Sequence, residues 1–221
     1  MKLLVQALVK MVSGMLLMGL VLFLPAGTWR YPGGWLFCGL LFVPMLVLGA
    51  VLLWKAPELL EKRLNTKETE KAQIAVVTAA ALLFIAAFVA AGLDFRYGWT
   101  RVPTWLVIGA TVLQLLAYAL YGEVMRENAY LSRTVEVQEN QKVIDTGLYG
   151  IVRHPMYTAT ILLFLAMPLV LGSWISFGIM LLYPVIILLR IRNEEKVLEA
   201  GLEGYREYKQ KVRYRLIPFL W

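Results

Sequence analysis

Residues 154–189 read HPMYTATILLFLAMPLVLGSWISFGIMLLYPVIILL, thirty-six positions without one Asp, Glu, Lys or Arg. As a single helix this stretch would be about 54 Å long at 1.5 Å per residue. The hydrocarbon core of a bilayer is roughly 30 Å thick, so the stretch must fold back on itself. Gly172-Ser173 near its middle supplies turn chemistry, with Pro168 just before it. Each arm then has about 16 residues, slightly under the roughly 20 of a full span. The reading is a tight helical hairpin, seated in a locally thinned bilayer or braced by its neighbours.

Four more charge-free runs precede it: Met11–Trp29, Tyr31–Trp54, Ala72–Leu93 and Val102–Gly122. Each is long enough for one crossing, and the expectation is six membrane helices. The composition agrees. Hydrophobic residues make up 60% of the 221, charged residues 17%, and mean hydropathy is +0.66. A soluble fold of this size could not hide so much apolar surface. The first run is followed at once by a second span and shows no small-residue cleavage site, so it reads as a retained helix. Lys10 within it can snorkel.

Six spans place the N-terminus, residues 55–71, residues 123–153 and the C-terminus on one side. That side collects eighteen Lys and Arg, Lys67 among them, against Arg30, Arg96 and Arg101 opposite. Only Asp94 of the fifteen acids falls on the poor side. The positive-inside rule makes the rich side cytoplasmic. The net charge of +7 then reflects topology and attraction to anionic lipid. Basic residues spread over membrane-side loops argue against nucleic-acid binding. Cys38 is the only cysteine, which excludes internal disulfides and thiolate zinc sites.

The polar mass lies in residues 123–153 and 190–221, which flank the hairpin and are brought together by its turn. Val197, Leu198, Leu202, Tyr205, Tyr208 and Val212 fall near one helical face. They predict an amphipathic helix continuing the last hairpin arm along the membrane surface. The linker 55–71 reads as a solvated helical connection.

Phosphate-binding glycine loops, dinucleotide fingerprints, HExxH and GxSxG are all missing. His154 is the only histidine, so no metal site is expected. No acid lies inside a span, which argues against a proton-coupled transporter. One cluster remains, Thr146-Gly-Leu-Tyr-Gly-Ile-Val-Arg-His-Pro-Met-Tyr157. Pro155 suits the first turn of a helix, so Arg153 and His154 stand at a helix N-terminus, where an anion is favoured. Tyr149 and Tyr157 can stack on a flat ring. Interfacial anchoring by Tyr and Arg explains the same residues equally well. At the other end of the hairpin stands Arg190-Ile-Arg-Asn-Glu-Glu195. Arg190 and Glu194 are four apart, and Arg192 and Glu195 three apart, so each pair shares a helix face.

The pattern GLYGIVRHPMY, then an apolar hairpin, then NEE and a Tyr-rich end closely resembles the isoprenylcysteine carboxyl methyltransferase family, which is related to membrane phospholipid N-methyltransferases. The shared mark is Arg153-His154-Pro155-Met156-Tyr157 with Glu194-Glu195, and the resemblance covers roughly residues 100–221. Family members often have Arg where this chain has Gly150, and Gly where it has Thr158-Ala159. The resemblance therefore names no acceptor.

It implies one membrane domain over 1–221, with N-terminal membrane helices in 1–100 and a methyltransferase-like core in 101–221. S-adenosylmethionine is the implied cofactor. Tyr149, Arg153, His154, Pro155 and Tyr157 would line its pocket, and Glu194 would meet its ammonium or ribose hydroxyls. Arg190 and Glu195 are the implied catalytic residues, with Arg190 holding an anionic acceptor. Five residues of straight helix put Arg190 and Glu195 about 140° apart, so a distortion near Asn193 is expected if both act. The implied acceptor is a lipidic or lipidated small molecule or protein reached from the bilayer, most simply a carboxylate, which needs no general base at neutral pH. An amine or thiol would call on Glu194, Glu195 or His154. A membrane reductase using a nicotinamide cofactor and a non-catalytic membrane binding protein are the competing readings.

Overall fold

The computed structural model describes residues 2–65, 68 and 70–221. Lys67, counted above, lies outside the described residues with its linker neighbours Thr66 and Thr69. The described residues form helices α1 Lys2–Ala26, α2 Pro32–Lys55, α3 Pro57–Leu64, α4 Lys71–Tyr97 and α5 Thr104–Glu127. A 3₁₀ turn at Gly147–Gly150 follows, then α6 Pro155–Leu171, α7 Trp174–Met180, α8 Tyr183–Gly201 and α9 Tyr205–Lys211. By length and composition, α1, α2, α4, α5 and the joined α7–α8 arm can each cross a membrane, with α6 as a shorter apolar helix. The chain is an all-helical multi-pass membrane protein.

The hairpin turns where the glycine stands. Gly172 has φ 82, a left-handed conformation that costs a residue without Cβ little. Ser173 then caps α7, its Oγ accepting from the Ser176 N–H at 3.1 Å. The arms are less equal than expected. Helix α6 has 17 residues, about 25 Å. The returning arm covers Trp174–Gly201, 28 residues, and breaks at Leu181-Leu182 just ahead of Pro184, which has no N–H to continue the ladder. Its second half, α8, runs on past the apolar zone and carries Arg190, Glu194 and Glu195.

The hairpin tip is latched to α4. Asp94, 1% exposed, accepts from Ser173 Oγ at 2.5 Å, Thr100 N at 2.7 Å and Thr100 Oγ1 at 2.5 Å. Tyr31 donates its hydroxyl to the Leu171 carbonyl at 2.6 Å. Small residues sit at the helix crossings: Ala87, Ala91, Ala110, Ala117, Ala159 and Ala166 are all nearly fully buried. Close backbone approach of this kind is how helices associate in lipid, where burial of apolar surface gives no drive. Leu16, Leu24, Trp105 and Leu116 point outward, as lipid-facing residues should.

At the opposite end from this latch, the C-terminal segment corrects one expectation. The amphipathic run is not one helix. It breaks between Leu202 and Gly204, where Gly204 adopts φ 81, and ends at Lys211. Leu202, Tyr205, Tyr208 and Val212 are buried as the periodicity implied, but against Val137, Val143 and Leu198. They form a small polar-end core with the loop 128–146, and residues 212–216 then run back along the start of α6.

Candidate functional site

Two clusters meet at the polar end, and adjacent residues of α8 supply them. Glu195 is 3% exposed and forms the hub of the first. It accepts from Arg153 Nε at 2.9 Å and pairs with Arg153 Nη2 at 2.9 Å. Arg215 adds Nε and Nη2 contacts at 3.1 and 2.9 Å to Glu195 Oε2. His154 Nε2 lies 3.3 Å from Glu195 Oε1. The C-terminal segment completes the knot. Arg153 Nη1 donates to the Val212 and Arg213 carbonyls at 2.7 and 2.8 Å. The Arg153 and His154 amides donate to the Tyr214 and Arg215 carbonyls, each at 2.9 Å. Thr158 Oγ1 reaches the Leu216 carbonyl at 2.8 Å. The helix mouth expected to receive an anion is thus taken by the chain's own C-terminal segment.

The second cluster faces a cavity. Arg190 Nε donates to the Tyr157 hydroxyl at 2.8 Å, and Tyr157 donates onward to Glu194 Oε2 at 2.5 Å. Arg190 Nη2 also holds the Arg133 carbonyl at 2.6 Å and lies 3.9 Å from Glu68. Helix α8 is unbroken through Asn193, so the expected distortion is absent. The regular 3.6-residue turn puts Arg190 and Glu194 on one face and turns Glu195 away. Nor does Glu195 pair with Arg192, which is exposed; Arg153 takes that place. Glu195 is not among the residues lining the cavity, and neither is Pro155. Pro155 is the buried first residue of α6.

Tyr149 is placed by local chemistry. Glu127 accepts from the Leu148 N–H at 2.9 Å, pulling the 3₁₀ turn onto the end of α5. Gly147 has φ 53, and a Cβ there would lie 1.8 Å from Glu127 Oε1, so any other residue would be strained and would displace the Glu127 carboxylate. Asn128 Nδ2 donates to the Tyr149 hydroxyl at 3.0 Å, and the Tyr208 hydroxyl donates to the Tyr149 carbonyl at 2.8 Å. Burial holds the Tyr149 phenol well above its ordinary pKa, so it stays neutral. The same holds for Tyr205, which burial and the nearby Glu195 and Glu194 keep protonated. Among the described residues the buried Tyr205 hydroxyl has no hydrogen-bond partner, a cost that a bound polar group would remove.

The cavity itself has a volume of about 1240 Å³. Its polar part is lined by Tyr149, Arg153, His154, Tyr157, Arg190 and Glu194, and its apolar part by residues such as Leu41, Pro44, Leu48, Val76 and Phe84. Pockets for a single small molecule run to about 300–1,000 Å³, so this one has room for two reactants. Sequence reasoning brought Tyr149, Arg153, His154, Tyr157, Arg190 and Glu194 to this one wall. It missed Arg215, which clamps Glu195, and the loop residues Arg133 and Asn128. These come from segments without a motif, and only the fold shows their proximity.

Residues 103–203 match the Phospholipid methyltransferase family, the family of isoprenylcysteine carboxyl methyltransferase-like membrane methyltransferases. The match takes in Tyr149 through Glu195 and supports a membrane methyltransferase. A Delta(14)-sterol reductase from Mus musculus is 26% identical over 91 residues, which is 40% of this chain and 22% of the reductase. The aligned region thus spans about a fifth of that relative's length.

Proposed function

We propose that the protein is an S-adenosylmethionine-dependent methyltransferase acting on a lipidic or lipidated acceptor, most simply a carboxylate, with its site on the cytoplasmic side. One observation carries the reading: a single cavity joins a polar wall of Tyr, Arg and Glu side chains to an apolar wall of membrane helices. A water-soluble reactant suits the first wall and an amphiphile the second.

When bound, S-adenosylmethionine supplies a methyl group on a positively charged sulfur, open to displacement with loss of a neutral thioether. The chain's residues fit it. Tyr149 and Tyr157 offer flat faces, Glu194 offers a carboxylate to an ammonium or to ribose hydroxyls, and the Tyr205 hydroxyl, without a partner among the described residues, offers one more polar contact. Arg190 orients the acceptor's oxyanion from the opposite side of Tyr157. The Arg190–Tyr157–Glu194 chain, with spacings of 2.8 and 2.5 Å, fixes the two binding groups relative to each other. A carboxylate is already ionised, so no base is needed; its oxygen forms the new bond to carbon as the carbon–sulfur bond breaks. Holding the partners in line and away from water is worth about 7–11 kcal/mol of barrier. Glu195, with its carboxylate committed to Arg153, His154 and Arg215, acts as a positioning residue for the Arg153–Tyr157 segment.

The test is thermal stability of the purified protein with S-adenosylmethionine, with its demethylated product and with NADPH. Stabilisation by the first two alone supports the methyltransferase. The resemblance to a sterol reductase favours a second reading, a membrane reductase, and stabilisation by NADPH alone would select it.

A further inference from the structure

Three arginines from three separate segments converge on the same cavity: Arg63 of α3, Arg133 of the loop after α5, and Arg190 of α8. Arg63 and Arg190 grip consecutive loop residues. Arg63 Nη1 donates to the Ser132 carbonyl at 3.2 Å, and Arg190 Nη2 to the Arg133 carbonyl at 2.6 Å. Arg63 also donates to the Tyr121 hydroxyl and packs its guanidinium 5.5 Å from that ring. These acceptors are neutral. The Arg133 side chain has no hydrogen bond or ion pair among the described residues. Arg133 is exposed to solvent where it lines the cavity; partial desolvation, and then the positive charges of Arg63 and Arg190, press its pKa below the ordinary guanidinium value. Of the acids lining the cavity, Glu68 lies 3.9 Å from Arg190 and accepts from the Val135 N–H at 3.3 Å, Glu136 accepts from Thr134 Oγ1 at 3.0 Å, and Glu194 is held by Tyr157. Positive charge gathered in one cavity, with a solvent-exposed guanidinium that has no protein partner among the described residues, leaves donors free to bind an incoming anion.

We propose that Arg63, Arg133 and Arg190 form an oxyanion site that holds the phosphate or carboxylate headgroup of a membrane amphiphile. The inference deepens the proposed function, since it takes the cavity to be the acceptor's site. The apolar wall selects the amphiphile over a free anion: Leu41, Pro44, Leu48 and Leu53 of α2 line the same cavity. The span from Leu41 to Leu53 is about 18 Å of helix at 1.5 Å per residue, enough to lie along a long hydrocarbon tail. Arg63 lies outside the matched segment 103–203, so this chain's N-terminal half supplies part of the selection.

Binding can be measured without any methyl donor, which separates failure of this site from failure of methyl transfer. The purified protein in neutral maltoside micelles is titrated with hexadecyl phosphate, with hexadecanol and with inorganic phosphate. The expected order is tight binding of hexadecyl phosphate, at least tenfold over either of the others. Arg133→Gln is expected to weaken hexadecyl phosphate about tenfold, while Arg133→Lys keeps most of the affinity. The melting temperature of the ligand-free protein should not fall in either variant, because the exposed Arg133 side chain bonds nothing among the described residues. Hexadecanol binding as tightly as hexadecyl phosphate would overturn the oxyanion site. So would unchanged affinity in Arg133→Gln. Equal binding of inorganic phosphate alone would overturn the assignment to an amphiphile.

Discussion

Removing the Glu195 carboxylate leaves Arg153, whose side chain is 3% exposed, without its charged partner and held only by the Val212 and Arg213 carbonyls. Breaking one partner of a buried pair typically costs about 3–5 kcal/mol. Glu195→Ala should therefore lower the melting temperature sharply, whereas Arg192→Ala, an exposed change on the same helix, should stay within about 0.5 kcal/mol. Equal, small effects in a melting experiment would show that the knot is not structural. Arg190→Lys separates the other cluster. Lysine keeps the charge but loses the fork that reaches Tyr157 and the Arg133 carbonyl together. Methyl transfer should fall at least tenfold with little change in stability. At this scale the sequence was legible wherever helical spacing decided the matter. Arg190 and Glu194, four apart, do share a face. The fate of Glu195 was not legible, because Arg153 and Arg215 reach it across 42 and 20 residues, and no local pattern encodes such a meeting.

Elements show the same division. Charge-free runs and the Gly172-Ser173 turn marked the membrane segments, since a bilayer imposes length and apolarity on every crossing. The break at Leu181-Leu182 and the break in the amphipathic run at Gly204 were missed, although Pro184 and Gly204 were the signals that could have found them. The hairpin tip invites a direct test. Asp94→Ala leaves the Ser173 hydroxyl and the Thr100 amide without their acceptor, costing about 1–3 kcal/mol. Hydrogen exchange should accelerate around Ser173 and Trp174, while affinity for S-adenosylmethionine stays close to that of the unaltered chain, because the latch lies at the far end of the hairpin. A large loss of affinity would show coupling along the hairpin that the packing does not suggest. Gly147→Ala should do the reverse. Displacing Glu127 moves Tyr149, so affinity falls more than stability.

For the whole molecule, the eighteen-to-three distribution of basic residues is the ground for proposing that both termini and the site face the cytoplasm. On a Cys38→Ala background, a cysteine placed at Lys211, which is exposed, should be labelled only from the cytoplasmic side. Labelling from outside alone would reverse the orientation. A site at that face, opening into the apolar space between helices, lets a polar donor and a membrane acceptor meet without either crossing the bilayer. Transfer of labelled methyl from S-adenosylmethionine into the lipid-extractable fraction, by the protein in membrane vesicles, tests this most directly. Label should appear in that fraction with the unaltered chain and be lost with Arg190→Ala at equal membrane abundance. No label from the unaltered chain across broad lipid and prenyl acceptors, together with stabilisation by NADPH alone, would contradict methyl transfer and select the reductase.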